Sequence, residues 1–384
     1  MNYPTKLYIT LVLICTGCTK EVVLTPATIT NNPQVTATDL FVHNAVLKYQ
    51  NSLNTSCVSI GIFRNDSAFF YGYGETKIGS GVAPDKNTYF EIGSITKTFT
   101  TIATLNMLRE NNQTIESPIK SYLPSDLPTL QREKTEVNFK HLLTHTSGLP
   151  YFPDNFGLKL YTGRIEKEFA DYNRNKLFSH LKNVRLKFKP FTNWEYSNTG
   201  MGLLGTILEL NYKKDYGQIL KEQIFIPLNL NDTKTDMSET VISRWSTGYS
   251  NGRETPYWNS LNALNGAGVI KSTASDLLKY GLANINPPSS PLGESITRSH
   301  QVTYTEFEDQ ETYKINNRLG WFQFIYKELP SESFIWHSGG TGGYSTDLFI
   351  NKEKKSILIL LYNNDKGTVE REDLKHELLK FISK

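Results

Sequence analysis

Strand-like segments lie at both ends of the 384-residue chain, and helical patterns occupy the region between them. Near the amino end, the stretch CVSIGIFRNDSAFFYGYG begins at Cys57 and contains two β-rich runs joined by a polar turn at residues 64–67. Near the carboxyl end, further strand-like runs read LGWFQFIY, SFIWHSGG, TDLFI and SILILLY. This distribution predicts one antiparallel sheet that is assembled from both ends of the chain and flanked by helices. The predicted fold class is therefore α+β, with a domain over residues 39–384 and a helical subdomain inserted at about residues 106–258.

The amino-terminal segment has the features of an export signal. Lys6 precedes the run LYITLVLICTGC, which has the length of a signal-peptide core and is too short to span a bilayer. The run resembles a bacterial lipoprotein signal over residues 1–17, with Cys18 as the lipidated first residue of the mature chain. Cys15 stands where such signals usually carry leucine, so simple secretion is the alternative. Residues 18–38 are rich in Thr, Pro and Asn without periodicity, which predicts a tether. We expect a periplasm-facing protein held in the cell envelope by this lipid, or a secreted one.

A serine and a lysine stand three residues apart where an apolar run turns into a helix. In FEIGSITKTFTTIATLNML, which begins at Phe90, apolar residues recur at helical spacing from Ile95 onward. Ser94 and Lys97 would share the first turn, where side chains at i and i+3 lie on one face. Two interpretations are open. Ser94 could be a helix N-cap with Lys97 as a surface charge, or the lysine could be a base that takes the proton of the serine.

The catalytic interpretation requires a lowered lysine pKa. An unperturbed lysine is neutral only about once in 2,500 molecules at pH 7, which corresponds to a penalty of roughly 4.6 kcal/mol. Desolvation of the ammonium and the positive end of a helix both lower the pKa of a lysine in the first turn. Lys97 is therefore a plausible base, and a second proton acceptor would help it.

Two further stretches contain candidate partners. In WEYSNTGMGLLGTIL, Tyr196 and Asn198 precede an apolar helix, for which Asn198 could also be a simple N-cap. In FIWHSGGTGGYST, a strand-like run ends at His337 and passes into four glycines, which permit close approach of the backbone to a ligand. A phosphate loop is disfavoured here because no Gly-Lys-Ser/Thr follows.

Three of these elements, in this order, resemble those of a known enzyme family. SITK at residues 94–97, YSN at 196–198 and HSG at 337–339 are similar to the S-x-x-K, Y-x-N and [K/H]-x-G elements of serine β-lactamases and penicillin-binding proteins. The similarity is to the class C-like branch and extends from about residue 40 to 380. The stretches HLLTHTSGLP, IFIPLNLNDT and GAGVIKSTASDLLKY are also similar to family segments.

The resemblance implies a role for each matching residue. Ser94 would be the acylated nucleophile, and Lys97 and Tyr196 would share the proton that it loses. Asn198 would hold the substrate amide and the lysine in place. The backbone N–H groups of Ser94 and Gly340 would form the oxyanion hole.

The third element departs from the pattern of β-lactamases in this branch, because His337 stands where they have lysine. A lysine offers a permanent positive charge to the carboxylate of a β-lactam or a D-Ala terminus. Histidine does so only below about pH 6.5, unless its pKa is raised. His337 and Gly339 would still bind substrate. Since members of the family with H-x-G include aminopeptidase-like and esterase-like hydrolases, the resemblance implies weak or no β-lactamase activity.

The leading hypothesis is a serine hydrolase that forms an acyl-enzyme at Ser94 on amide or ester substrates. These would be D-amino-acid peptides, peptidoglycan-derived molecules or esters, and no cofactor is expected. The alternative is a slowly deacylating penicillin-binding or sensing module, and a third hypothesis is a non-catalytic scaffold.

Other kinds of function are disfavoured. The formal net charge of +3 is too small to argue for nucleic-acid binding. His141 and His145 have the spacing of a zinc pair on a helix, but the sequence contains no H-E-x-x-H, so we predict no metal.

Overall fold

The computed structural model describes residues 29–157, 165–309 and 312–384. The helices are α1 (Ala37–Tyr49), α2 (Thr96–Glu110), α3 (Phe139–Leu143), α4 (Ile165–Asp171), α5 (Arg174–Asn183), α6 (Asn198–Tyr212), α7 (Tyr216–Leu220), α8 (Glu239–Ser243), α9 (Asn265–Gly268), α10 (Ala274–Ile285), α11 (Pro291–Ser299) and α12 (Val369–Ile382). The strands are β1 (Cys57–Arg64), β2 (Ser67–Gly74), β3 (Phe90–Glu91), β4 (Gln131–Arg132), β5 (Thr135–Glu136), β6 (Tyr249–Ser250), β7 (Arg253–Glu254), β8 (Lys271–Ser272), β9 (Val302–Asp309), β10 (Tyr313–Arg318), β11 (Phe322–Tyr326), β12 (Ser333–Gly340), β13 (Ser345–Asn351) and β14 (Ser356–Tyr362).

Eight of these strands form one antiparallel sheet in the order β2-β1-β14-β13-β12-β11-β10-β9. The amino-terminal hairpin joins the carboxyl-terminal strands where β1 pairs with β14. The turn between β1 and β2 places Asn65 and Asp66 at positive φ, as two-residue hairpins require. The predicted α+β fold, with a sheet built from both ends of the chain, is confirmed.

The central strand β14 is buried on both faces, so two apolar cores form. Ile359 faces the core that contains Phe99 of helix α2 and Leu277 of helix α10. The next residue, Leu360, faces the core that contains Leu374 of helix α12. Because successive side chains of a strand point to opposite faces, the continuous apolar run SILILLY supplies both cores.

Helix α2 is buried along almost its whole length, beneath the sheet and against α6, α9 and α11. Two of its threonines satisfy their hydroxyls within the helix, because Thr101 and Thr104 donate to the carbonyls of Lys97 and Thr100. This internal pairing lets polar side chains lie in an apolar core. A rigid, fully packed helix therefore follows Ser94 directly.

In the segment STASDLLKY, Thr273 is followed three residues later by Asp276, the pattern of a capping box at the start of helix α10, but only half of this box forms. Thr273 Oγ1 accepts a hydrogen bond from Asp276 N–H at 3.2 Å. The Asp276 carboxylate accepts instead from Asp232 N–H and the Thr233 hydroxyl, which belong to a loop distant in sequence. A tertiary contact has therefore replaced the local one.

Within the predicted tether, the part from residue 29 onward contacts the domain. The Asn31 side chain accepts from Gly72 N–H at 2.6 Å and donates to the Pro84 carbonyl at 2.9 Å. Helix α1 then begins at Ala37 and is capped by Thr36. The boundaries of the tether and of the helical subdomain at about 106–258 stay predictions.

Candidate active site

Ser94 lies at a sharp turn between strand β3 and helix α2. The turn is a 3-10 helix over Gly93–Ile95, and α2 begins at Thr96. Gly93 has a φ of +49°, and a Cβ there would lie 2.7 Å from both the nitrogen and the oxygen of Gly340. Only glycine fits this close approach without strain. The N-cap residue of α2 is Ile95, which makes no side-chain capping bond, so the interpretation of Ser94 as a helix cap is wrong.

Lys97 is fully buried and its amine faces the serine. Its Nζ donates to Ser94 Oγ at 2.8 Å and to the Ala267 carbonyl at 2.6 Å. Burial lowers the pKa of Lys97 well below the usual value for lysine, because the charged form is desolvated. Ala267, in helix α9, is a contact that sequence reasoning missed. Nothing in its own side chain could have revealed it, because the contact is made by a backbone carbonyl.

Tyr196 completes this group from the loop before helix α6. Its phenol lies near the Ser94 side chain, and Lys97 Nζ lies 4.9 Å from the centre of its ring. Burial raises the pKa of Tyr196 above the usual value for tyrosine. The two pKa shifts agree, because a lowered lysine pKa and a raised tyrosine pKa both favour a neutral amine beside a protonated phenol. The arrangement can therefore pass a proton from the Ser94 hydroxyl to Lys97.

Strand β12 runs beside the serine turn and brings the predicted glycines to it. A Cβ on Gly339 would lie 1.9 Å from the Ile92 carbonyl oxygen, so this position must be glycine. A Cβ on Gly340 would meet nothing within 4 Å, so the site is open at that residue. The structure thus brings Gly340 against the turn that carries Ser94, as the predicted oxyanion hole requires.

His337 is buried in the same strand, with only 2% of its surface exposed. Its Nδ1 lies 2.6 Å from the Ser338 carbonyl oxygen and donates to it, and its Nε2 has no hydrogen-bond partner among the described residues. Burial, with a smaller contribution from the charge of Lys97, lowers the pKa of His337 to about 3. At neutral pH the ring is uncharged, so this position offers no fixed cation to a substrate.

The buried neutral state of His337 predicts a pH-dependent contribution to stability. Because its folded pKa of about 3 lies below the usual 6.5, the unfolded chain binds more protons between these values. The free energy of unfolding should therefore rise with pH across this window and gain nothing from His337 above it. We expect His337→Gln to make this rise less steep, by at most about 1.4 kcal/mol per pH unit. Urea unfolding of both proteins from pH 4 to 8 measures it, and parallel curves would contradict the prediction.

Asn198 is the first residue of helix α6 and not its cap. The cap is Ser197, whose hydroxyl accepts from Gly200 N–H at 2.9 Å. The backbone N–H of Asn198 donates to the Tyr151 carbonyl at 2.9 Å, and its side chain lies near the Tyr151 phenol. The Lys97 amine donates to the backbone carbonyl of Ala267 and to Ser94 Oγ, and not to the Asn198 side chain. The expected contact between Asn198 and the lysine is therefore not present, although Asn198 lies in the loop that carries Tyr196.

Comparison with known proteins agrees with this fold. The sequence profile of the Beta-lactamase family matches residues 42–381, which is most of the chain. The chain belongs to the beta-lactamase family. It is accordingly a serine hydrolase, and its resemblance to class C enzymes and penicillin-binding proteins is confirmed.

Individual relatives are distant in sequence but close in fold. The chain is 24% identical to a beta-lactamase of Yersinia enterocolitica over 359 residues, covering 85% of this chain and 86% of that protein. It is 24% identical to the D-alanyl-D-alanine-carboxypeptidase/endopeptidase AmpH of Escherichia coli K12 over 305 residues, covering 77% and 76%. The crystal structure of a beta-lactamase/D-alanine carboxypeptidase from Pseudomonas syringae superposes with a TM-score of 0.74 at 21% identity, covering 90% of this chain and 99% of that one.

The two histidines with the spacing of a zinc pair lie in different parts of the structure of this beta-lactamase family member. His141 lies in helix α3 and accepts from Asn138 N–H, whereas His145 lies beyond the end of that helix. The two do not share a helix face, and the described residues contain no group of side chains suited to hold a metal ion.

Cys18 and the predicted signal lie outside the described residues. Among the helices described, none is long and apolar enough to cross a membrane.

Proposed function

We propose that this protein hydrolyses esters or amides without a free carboxylate at the leaving side, through an acyl-enzyme at Ser94. The observation that carries the proposal is the contact of 2.8 Å between Lys97 Nζ and Ser94 Oγ, made by a fully buried lysine. Lysine must be neutral to act as a base. Burial alone lowers the pKa of Lys97 and so favours the neutral form.

In the acylation step, Ser94 Oγ attacks the substrate carbonyl carbon while its proton passes to Lys97 Nζ. The carbonyl oxygen becomes an oxyanion, to which the backbone N–H groups of Ser94 and Gly340 would donate. The intermediate then collapses, the bond to the leaving group breaks, and the leaving group takes a proton from the Tyr196 phenol. Lys97 restores that proton to Tyr196, so the protons balance and the acyl group stays on Ser94.

In the deacylation step, a water molecule attacks the acyl carbon and loses a proton to the same pair of groups. The released Ser94 oxygen takes a proton back, and the acid product departs. The raised pKa of Tyr196 favours the protonated phenol, and the lowered pKa of Lys97 favours the neutral amine. Lys97 is therefore the base in both steps.

The proposed substrate charge follows from His337. A neutral, buried imidazole gives a substrate carboxylate no ionic partner, whereas uncharged esters and amides need none. Since burying an unpaired carboxylate is costly, anionic β-lactams should be poor substrates. Relatives named carboxypeptidase/endopeptidase and penicillin-binding protein support peptidoglycan-derived or D-amino-acid peptides as the amide class, cleaved at a bond whose leaving group carries no free carboxylate.

The test is intact-mass spectrometry of the wild type and of Ser94→Ala with three probes: a fluorophosphonate, a β-lactam and a neutral p-nitrophenyl ester. We expect a covalent adduct with the fluorophosphonate, turnover of the ester, and neither in Ser94→Ala. A lasting adduct without turnover would instead identify a slowly deacylating sensor. No adduct with any probe would overturn the proposal in favour of a non-catalytic scaffold.

Introducing a lysine at position 337 should shift selectivity towards anionic substrates. In His337→Lys, a permanent positive charge would stand beside the serine turn and attract a carboxylate. We expect the ratio of kcat/KM for an anionic β-lactam to kcat/KM for the neutral ester to rise about tenfold, which corresponds to about 1.4 kcal/mol. Steady-state kinetics on both substrates measure the ratio, and an unchanged ratio would contradict this account of selectivity.

We also propose that the protein is held in the cell envelope by a lipid on Cys18. The support is the signal-like run before that residue. Mass spectrometry of the mature amino-terminal peptide would show a lipid-modified Cys18 if the proposal holds. Release of Cys18→Ala, but not the wild type, from the membrane fraction would agree with it, and an unmodified cysteine would contradict it.

A further inference from the structure

We propose that His145 is a positioning residue that holds Tyr196 in place beside Ser94 and Lys97. The inference rests on the proposed function, in which the Tyr196 phenol exchanges protons with those two groups. His145 touches neither the serine nor the lysine through a hydrogen bond, so it acts through the tyrosine.

Three separate contacts connect His145 with Tyr196 and its two chain neighbours. The His145 carbonyl accepts from Glu195 N–H at 3.0 Å, and His145 Nδ1 accepts from Ser197 N–H at 3.2 Å. The imidazole stacks on the Tyr196 ring, with 4.5 Å between ring centres and 28° between planes. The backbone on both sides of the tyrosine and the tyrosine ring itself are thus held by one residue. A residue that only filled space in the core would need none of the hydrogen bonds.

The conformation of His145 is unfavourable by itself, which distinguishes it from an ordinary core residue. Its φ is +58°, in the left-handed region that residues other than glycine adopt uncommonly, with asparagine, aspartate and histidine the most frequent exceptions. Only 2% of the residue is exposed, and its Nε2 has no hydrogen-bond partner among the described residues. Strained backbone and an unsatisfied buried polar atom persist where the surroundings require them, and they cluster at active sites.

The contact with Ser197 requires the neutral form of His145. Because Nδ1 accepts a hydrogen bond, the ring proton must be on Nε2, and protonating Nδ1 would break the bond. Burial lowers the pKa of His145 well below its usual value, and protonation of Lys97 or His337 would lower it further. Its ring neighbours are Trp194, Tyr196 and Phe322, which carry no charge at neutral pH. The hydrogen bond from Ser197 N–H to His145 Nδ1 is therefore kept over the pH range in which Lys97 would act as a base.

Three substitutions separate the contacts. His145→Asn keeps an acceptor near the Nδ1 position and tolerates the positive φ, but loses the stacked ring. His145→Phe keeps the stacking and loses the acceptor. His145→Ala loses both. His141→Ala is the matched control. His141 is also buried, but it lies in helix α3 and bonds with Asn138, the cap of that helix, and not with the segment that carries Tyr196.

The measurements are kcat, KM and the pH profile of acylation with the neutral p-nitrophenyl ester, together with urea unfolding. For His145→Ala we expect kcat to fall about 100-fold, since a misplacement of about 1 Å can have this effect, with KM within about twofold of the wild type. His145→Asn and His145→Phe should each recover part of kcat. The alkaline limb of the profile should move to lower pH in His145→Ala, because Tyr196 would be less desolvated.

The outcomes distinguish this inference from the proposed function. If the wild type and His141→Ala react at Ser94 while all three His145 variants keep the wild-type kcat and pH profile, the positioning role is overturned. It is also overturned if kcat falls only in proportion to the loss of folded protein, without partial recovery in His145→Asn. If the wild type itself forms no adduct at Ser94, the proposed function fails. A crystal structure of His145→Ala then tests whether His145 positions Tyr196. A displaced Tyr196 would support it, and an unmoved one would overturn it.

Discussion

Lys97→Met should slow the acylation of Ser94 about 10³-fold while the free energy of unfolding stays within about 1 kcal/mol of the wild type or rises. The rate falls because methionine cannot accept the serine proton. Stability is kept because an unbranched apolar side chain of similar length suits a fully buried position, and this offsets the lost hydrogen bond to the Ala267 carbonyl. The rate of adduct formation with a fluorophosphonate and urea unfolding measure the two quantities.

Lys97→Arg is the matched control for this result. Arginine is positively charged and does not deprotonate in proteins, so it cannot act as a base. If the lysine serves as the base, both variants should be inactive. If Lys97→Arg kept a large part of the activity, the lysine would be acting through its charge, and the proton transfer proposed for Ser94 would be wrong.

Gly339→Ala should destabilise the protein by about 3 kcal/mol or more and abolish acylation at Ser94. The added Cβ would lie 1.9 Å from the Ile92 carbonyl oxygen and 2.6 Å from the Thr346 hydroxyl. The first of these is backbone, so strand β12 and the serine turn would have to separate. Their separation would move Gly340 away from Ser94 and remove the proposed oxyanion hole. Urea unfolding and the burst of p-nitrophenol release measure both effects.

Gly340→Ala is the control from the next position in the same strand. A Cβ there would meet nothing within 4 Å, and φ is not positive, so its free energy of unfolding should lie within about 0.5 kcal/mol of the wild type. Equal destabilisation by both alanines would mean that strand flexibility, and not the contact with Ile92, limits stability. Wild-type stability in Gly339→Ala would show that the close approach of β12 to the serine turn is not required.

The sequence predicted correctly those features that depend on near neighbours in the chain. Ser94 and Lys97 are three residues apart at the start of a helix, so their proximity follows from helical geometry. The hairpin at residues 64–67 likewise follows from its turn residues. Where a distant partner competed, the local prediction failed. The Asp276 carboxylate bonds with Asp232 N–H and does not complete a capping box at Thr273, and Ser197 takes the capping role that the pattern left open to Asn198.

Local pattern and family resemblance together therefore determined the α+β fold and named the side chains that could meet around Ser94. Only the tertiary structure decided their protonation, because the pKa of Lys97, Tyr196 or His337 depends on how much water the surrounding elements exclude, and no short stretch of sequence encodes that. It also decided the contacts made by backbone atoms, such as the Ala267 carbonyl on Lys97 and the N–H groups held by His145. Every residue carries the same backbone groups, so the amino-acid sequence gives no sign of which of them will be used.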